Sequence, residues 1–160
     1  MILAKKTYAT ETKIIGINID DRMEAEINLI KLRPHRLPRG FSTCYIACIY
    51  IPPKAAIRNN TTKNNEEITI NIAKIISNAI DSDKTTNKQL LIICGDLNGA
   101  KTIALSRYLN IKQINKAATR GKNLLDPILT NTPDCYKCKT KQILGSDHLG
   151  GHRLPISNKI

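Results

Sequence analysis

Leu90-Leu91-Ile92-Ile93-Cys94-Gly95-Asp96-Leu97-Asn98 decides how the chain is read. Five apolar residues run without a break and are closed by Gly95. A short apolar run with β-branched residues, bounded by glycine, predicts a strand covered on both faces. It is too short for a helix, and Gly95 ends it. The carboxylate of Asp96 and the carboxamide of Asn98 therefore stand at the carboxyl end of a core strand. Polar groups delivered by a rigid element are well placed for function. Asp and Asn also favour turns through local side-chain hydrogen bonds, so these residues equally fit a plain turn.

The 160 residues suffice for one domain with a sizeable core, and the chain reads as a single domain spanning 1–160. With 25 basic residues against 13 acidic, the formal charge is +12. Such an excess favours a polyanionic partner, most simply nucleic acid. The abundance of Ile, Asn, Lys and Thr also fits AT-rich coding, under which Lys accumulates without selection for binding. There is no Trp and a single Phe, Phe41, which disfavours a base-stacking single-strand platform. Five cysteines give no disulfide framework; Cys44, Cys48 and Cys94 lie in apolar runs and read as small core residues. No signal segment is evident, since Met1-Ile2-Leu3-Ala4 meets Lys5-Lys6 at once. No apolar run approaches the roughly 20 residues that span a bilayer. The expectation is an intracellular protein, nuclear or cytoplasmic, with no membrane partner.

Outward from the central run, Lys13 to Ile19 and Ala25 to Leu32 predict two strands joined by Asp20-Asp21-Arg22, and residues 1–12 show no period. In the second strand both alternating faces carry apolar residues, so both are partly covered. Arg33-Pro34-His35-Arg36-Leu37-Pro38-Arg39-Gly40 is a loop by its prolines and glycine. Its arginines, Arg33, Arg36 and Arg39, are candidate phosphate-backbone contacts. Thr43 to Ile51 predicts a strand stopped by Pro52-Pro53, which puts Tyr50 beside a carboxyl end, as Asp96 is.

Ile68, Ile72, Ile75, Ile76, Ala79 and Ile80 make one stripe at spacings of three and four, predicting a helix from Glu66 to Ile80. Asn64 with Glu67 resembles a capping box. Thr102 is placed to cap a short helix, Ile103 to Leu109. A brief strand is predicted at Ile111 to Ile114, a turn at Ala118 to Asn123, and a strand at Leu124 to Leu129 that carries Asp126. Pro127 inside it argues for a bulge or an edge. Pro133 to Lys141, rich in Cys and Lys, reads as a loop before Gly145-Ser146-Asp147-His148. Strands alternating with few helices make the class α/β.

Gathered from the strand ends, Tyr50, Asp96, Asn98, Asp126, Asp147 and His148 supply three carboxylates, an amide, a phenol and an imidazole. These are the parts of a metal-assisted phosphodiester hydrolysis. Mg²⁺ prefers oxygen ligands and polarises a phosphoryl oxygen. Acidic and amide groups orient and deprotonate a water, and an imidazole held by a carboxylate stabilises charge on the phosphorane. Asp147 and His148 are adjacent, so in extended backbone their side chains diverge and Asp126 is the better partner for His148.

On these pieces the chain resembles the endonuclease/exonuclease/phosphatase superfamily, and within it the endonuclease module of non-LTR retrotransposons. The matching pieces are Lys31-Leu32-Arg33-Pro34, Leu37-Pro38-Arg39, Ile49-Tyr50-Ile51-Pro52-Pro53, Gly95-Asp96-Leu97-Asn98, Thr119-Arg120 with Leu124-Leu125-Asp126, Leu129-Thr130-Asn131 and Gly145-Ser146-Asp147-His148. Their order and spacing span residues 14 to 149. The resemblance implies a deoxyribonuclease I-like four-layer α/β sandwich, two mixed sheets flanked by helices, and Mg²⁺-dependent cleavage of DNA, with Mn²⁺ as a second candidate ion. It assigns Asp96 and Asn98 to the attacking water, Asp126 to holding His148, His148 and Tyr50 to the scissile phosphate, and Asp147 to the side of the metal. Arg120 joins the candidate nucleic-acid contacts. In mobile elements the nick exposes a 3′-hydroxyl that primes a reverse transcriptase, the implied partner in an intact gene product.

The chain departs from that pattern at both ends. The family's opening Asn and its main metal-binding Glu have no matching motif; Glu11, Glu24 and Glu26 lie outside one. The expectation is a domain incomplete at its N-terminus, with Leu149 to Pro155 breaking the final strand. A basic remnant without catalysis, and a phosphatase of the same superfamily, are the alternatives. A zinc site from Cys135, Cys138, His148 and His152 has suitable ligand types but a Cys-to-His gap shorter than usual.

Overall fold

The computed structural model describes residues 8–15, 25–53, 65–83, 88–142 and 153–159. Its strands are β1 (Ala9–Ile15), β2 (Glu26–Pro34), β3 (Thr43–Tyr50), β4 (Gln89–Asp96), β5 (Lys112–Gln113), β6 (Ile128–Thr130), β7 (Tyr136–Gln142) and β8 (Arg153–Lys159). Two helices intervene, α1 (Asn65–Ser82) and α2 (Ile103–Tyr108). The first six strands form one sheet in the order β1-β2-β3-β4-β6-β5, and β7 pairs with β8 in a second.

The apolar runs of β3 and β4 pair in parallel, from Thr43 opposite Gln89 to Tyr50 opposite Asp96. A parallel pair needs a crossover, and the 18-residue α1 supplies it. Its predicted stripe is the packed face: Ile68, Ile72 and Ile76 are buried in one cluster with Ile27, Leu29, Tyr45, Ala47, Ile49, Leu91 and Ile93. Ile75, Ala79 and Ile80 are partly buried against it, and Ala73, outside the stripe, is buried with them. Each buried Ile stabilises by about 1.5–3 kcal/mol relative to exposure. The other face of the sheet holds a smaller cluster of Ile30, Leu32, Cys44 and Leu90, with Phe41 and Tyr136 packed against it. Both faces of β2 are thus used, as its double pattern predicts.

At the foot of the sheet, Tyr45 is wholly buried, and its hydroxyl donates to the Asp83 carboxylate just beyond α1. Lys31 Nζ meets the same carboxylate at 2.6 Å. A buried phenol and a nearly buried carboxylate are thereby satisfied together.

The structure differs from the sequence reading in several elements. β1 starts at Ala9, so the opening is not patternless throughout. The strand read over Leu124 to Leu129 is only Ile128–Thr130, and Asp126 and Pro127 precede it. Pro127 is therefore neither a bulge nor an edge marker, since β6 lies between β4 and β5. The segment read as a Cys- and Lys-rich loop is a 3-10 turn followed by strand β7. Thr102 precedes α2 but makes no cap bond; its hydroxyl pairs with the Gln113 side chain at 3.0 Å. A strand also follows Gly150 and Gly151, with Pro155 in register opposite Thr140. The Asp20-Asp21-Arg22 turn and Asn64 lie outside the described residues, as do Asp147, His148 and His152.

The architecture is the deoxyribonuclease I-like α/β fold. Helices cover one face of the large mixed sheet, and β7 begins beside the cluster on the other.

Candidate functional site

On the face of the sheet away from the helices, β2, β3 and β4 place residues in rungs. Leu32, Cys44 and Leu90 share one, and Ile30, Ile46 and Ile92 the next. Asn28, Cys48 and Cys94 follow, and then Glu26, Tyr50 and Asp96. Polarity rises along the ladder toward the carboxyl ends of β3 and β4. Tyr50 is 41% exposed, whereas Cys44 is buried. The last rung is the candidate site.

Gly95 makes the rung possible. Its φ is +143°, and a Cβ there would lie 1.8 Å from the Ile49 carbonyl oxygen. Only glycine lets β4 come that close to β3 before delivering Asp96. The chain then turns through Asn98, at φ +44°, and Gly99, at φ +80°. Asp96 Oδ1 accepts from the Asn98 amide at 3.1 Å, and Asn98 Nδ2 donates to the Ile51 carbonyl at 2.9 Å. So the turn reading of Asp96 and Asn98 holds as geometry. The same bonds fix both groups against the end of β3.

A second segment is brought alongside by the backbone. The Leu97 amide donates to the Leu125 carbonyl at 2.9 Å, which sets Asp126 beside the turn. Asp126 is itself held from beneath by two buried polar residues. Thr119 Oγ1 accepts from the amides of Leu125 and Asp126. Asn115 Nδ2 donates to the Asp126 carbonyl at 2.8 Å, and Asn115 Oδ1 accepts from the Ile128 amide at 2.7 Å. Arg120 follows Thr119 in a tight turn closed by paired bonds with Asn123. Its guanidinium reaches 3.9 Å from Asp96 Oδ2.

Tyr50, Asp96, Asn98, Asp126 and Arg120 therefore gather at one end of the sheet. Arg33, Arg36 and Arg39 do not. Arg33 belongs to the end of β2 rather than to the loop read from the sequence. Arg36 and Arg39 lie just beyond that strand, next to the starts of β3 and β4, where the Ser42 amide meets the Lys88 carbonyl. Seven residue steps along β4 put that pole about 23 Å from Asp96. Lys88 also stands there, 5.0 Å over the Phe41 ring. Asp147 and His148 are outside the described residues.

Sequence reasoning passes over Thr119 and Asn115 as site supports, and Glu26 as a member of the Tyr50 rung. Thr119 stands in a matching piece that gives it no role, and no motif signals Asn115 or Glu26. The pairing register alone brings Glu26 there, and burial alone makes Thr119 and Asn115 carry the loop.

The thiols of Cys48 and Cys94 face each other across the ladder one rung below Tyr50 and Asp96. Hydrogen bonding to Cys94 holds Cys48 below the ordinary thiol range, while hydrogen bonding to Cys48, with burial, pushes Cys94 up. Burial raises Cys44 to about 12.

Among the described residues no three His, Cys, Asp or Glu side chains converge to hold a metal. No described helix is long and apolar enough to cross a membrane.

No family model matches the sequence, and no curated protein matches it. Solved structures do match in fold. The cytolethal distending toxin of Haemophilus ducreyi aligns with a TM-score of 0.53 at 14% identity, over 93% of this chain and 57% of its own. The human Nocturnin catalytic domain aligns at 0.47 and 14% identity, over 93% of this chain and 61% of its own. Zebrafish (D. rerio) TDP2, solved with a single-stranded DNA product, aligns at 0.49 and 10% identity, over 92% and 66%. Two further matches are described as endonuclease/exonuclease/phosphatase family proteins, from Leptotrichia buccalis (TM-score 0.44, 14% identity) and Bacteroides thetaiotaomicron (0.49, 8% identity). The chain spans less than two thirds of the length of these matched structures.

Proposed function

We propose that this chain is the later part of a retrotransposon-type endonuclease domain that hydrolyses DNA phosphodiester bonds. The observation that carries the reading is the Tyr50–Asp96 rung, with Arg120 at 3.9 Å and Asp126 pinned beside it. A phenol that can donate, a carboxylate that can accept, an amide and a guanidinium at one strand end suit a phosphate and its attacking water. The +12 charge of the chain draws the polyanion.

In this reading Asp96 takes the proton of a water attacking phosphorus. The bond from phosphorus to O3′ breaks, and the departing O3′ takes a proton from bulk water, which frees a 3′-hydroxyl and leaves a 5′-phosphate. Tyr50 donates to a non-bridging oxygen, and Arg120 offsets the charge that develops there. Asp126 holds His148 against the same phosphate. Asn98, fixed by its amide to the end of β3, keeps the water in line with Asp96. Arg33, Arg36 and Arg39 contact the duplex backbone far from the cut. The freed 3′-hydroxyl would prime a reverse transcriptase in the intact gene product.

The resemblance also implies Mg²⁺, with Asp147 beside it. When bound, the ion would neutralise charge on the phosphoryl group. The described residues alone do not complete its seat.

The test is nicking of supercoiled plasmid by the purified chain with Mg²⁺, beside Asp96→Asn and His148→Ala. Nicking that falls at least about a hundredfold in both variants supports the reading. A folded chain that does not nick, yet retards duplex DNA, makes it a binding remnant. Faster hydrolysis of inositol phosphates than of plasmid moves it to the phosphatases.

A further inference from the structure

We propose that Cys48 and Cys94 are a thiol–disulfide site, closing reversibly into a cross-strand bond one rung beneath Tyr50 and Asp96. The proposal does not depend on the nuclease reading. Cys48 and Cys94 are register partners on the parallel strands β3 and β4, and both are half-buried on the face away from the helices. Neighbouring strands lie about 4.8 Å apart. That separation falls within the roughly 4.4–6.8 Å between Cα atoms that a disulfide spans. Register partners also present their Cβ atoms on the same face, which removes the usual obstacle to bridging. The two thiols face each other directly across the β3–β4 ladder.

The other cysteines lack this arrangement. Cys44 is buried, and its register partner on β4 is Leu90. Cys138 stands in register with Ser157. Among described strand pairs, Cys48 with Cys94 is the place where two thiols face across a ladder. The alternative use of paired thiols, a soft metal, needs further ligands, and none converge there among the described residues.

The chemistry balances with a small-molecule disulfide as oxidant. The Cys48 thiolate, favoured by the Cys94 hydrogen bond, attacks one sulfur of the oxidant. A mixed disulfide forms and one small thiolate leaves. The Cys94 sulfur, losing its proton, then attacks Cys48 Sγ, forms the internal bond and expels the second small thiolate. The protein loses two electrons and two protons, and the oxidant becomes two thiols. A reducing thiol reverses both steps.

The experiment treats the full, folded chain with oxidised glutathione, blocks the remaining thiols, digests without reduction and maps the products by mass. The expected result is one linked peptide pair joining Cys48 to Cys94, a mass lower by two hydrogens, and two fewer thiols in the titration. Dithiothreitol should restore both. Cys94→Ser should stop at a glutathione adduct on Cys48, with one thiol fewer. The proposal is overturned if Cys48 and Cys94 carry separate adducts in the unsubstituted chain. It is equally overturned if they stay reduced while other thiols react, or if linked pairs scatter over Cys44, Cys135 and Cys138. The mapping of the unsubstituted chain decides the matter whether or not the variant folds, and whether or not the chain nicks DNA.

Discussion

Thr119 holds Asp126 through its backbone: the fully buried hydroxyl accepts from the Asp126 amide at 3.2 Å and from the Leu125 amide at 2.9 Å. One oxygen thus satisfies two donors in the loop that carries a candidate catalytic carboxylate. Thr119→Val keeps the shape and removes the acceptor. Two amides would be left without it, at about 1–3 kcal/mol each where buried. The expected loss is about 2–4 kcal/mol in a urea melt, with nicking reduced in step as Asp126 loosens. Thr119→Ser should retain most of both. If Thr119→Val melts like the parent chain, the hydroxyl is not what fixes the loop.

Gly95 is a sharper case, because no rearrangement of a flexible side chain can relieve it. A Cβ would sit 1.8 Å from the Ile49 carbonyl oxygen, which is backbone, and φ is +143°. Gly95→Ala must push β3 and β4 apart at the rung before Asp96. The cost should exceed about 3 kcal/mol, combining a disfavoured backbone region with overpacking. Circular dichroism melts of the variant should show this as a fall in midpoint of at least about 6 °C for a domain of this size. A neutral Gly95→Ala would mean that β4 does not approach β3 as described.

What can be read from the sequence follows from where the physical signal is local. β3, β4 and α1 are legible because an unbroken apolar run and a three-four spacing are properties of consecutive residues. Tyr50, Asp96 and Asn98 are legible for the same reason, standing where such runs stop. β7 escapes a sequence reading because its lysines suggest a loop, although Tyr136 and Cys138 alternate with exposed Lys137 and Lys139 in the period of an edge strand. β6 reads too long because Leu124 and Leu125 continue the apolar run, but Pro127 stands before the strand rather than in it. The placement of Glu26 opposite Tyr50, and of the arginine loop at the far pole, comes from antiparallel pairing between distant segments. No window along the chain contains that information.

The thiol pair makes a pH-dependent prediction. Cys48 is held below the ordinary thiol range by the hydrogen bond from Cys94, and Cys94 is raised. A lowered value means that the thiolate of Cys48 persists as pH falls, and disappears only on the acidic side of a free cysteine's range. Alkylation by iodoacetamide at pH 7 should therefore label Cys48 before Cys44, which burial pushes up to about 12. Lowering the pH should slow Cys48 labelling at a midpoint below that of a free thiol, about 8.5. Cys94→Ala removes the hydrogen bond, and the midpoint should move upward. A midpoint that does not move would show that some other neighbour sets the Cys48 thiol.

The two groups of arginines should separate by the length of DNA they need. Arg120 lies 3.9 Å from Asp96, whereas Arg36 and Arg39 stand at the other end of the sheet, about 23 Å away. At about 3.4 Å per base pair, that distance is roughly seven base pairs. On a long duplex, Arg120→Ala and the double substitution Arg36→Ala with Arg39→Ala should both weaken binding. Removing one phosphate-binding side chain should reduce the steepness of log affinity against log salt by about 0.9. On a hairpin-closed duplex of about six base pairs, shorter than the span between the two groups, Arg120→Ala should still weaken binding and the double substitution should not. Fluorescence anisotropy at several salt concentrations makes the comparison. Equal weakening by both variants on the short duplex would mean that the loop of Arg36 and Arg39 meets DNA at the cut itself. Unchanged binding by the double substitution on the long duplex would make that loop a solvated turn, and would confine the nucleic-acid surface to the end of the sheet that carries Tyr50 and Asp96.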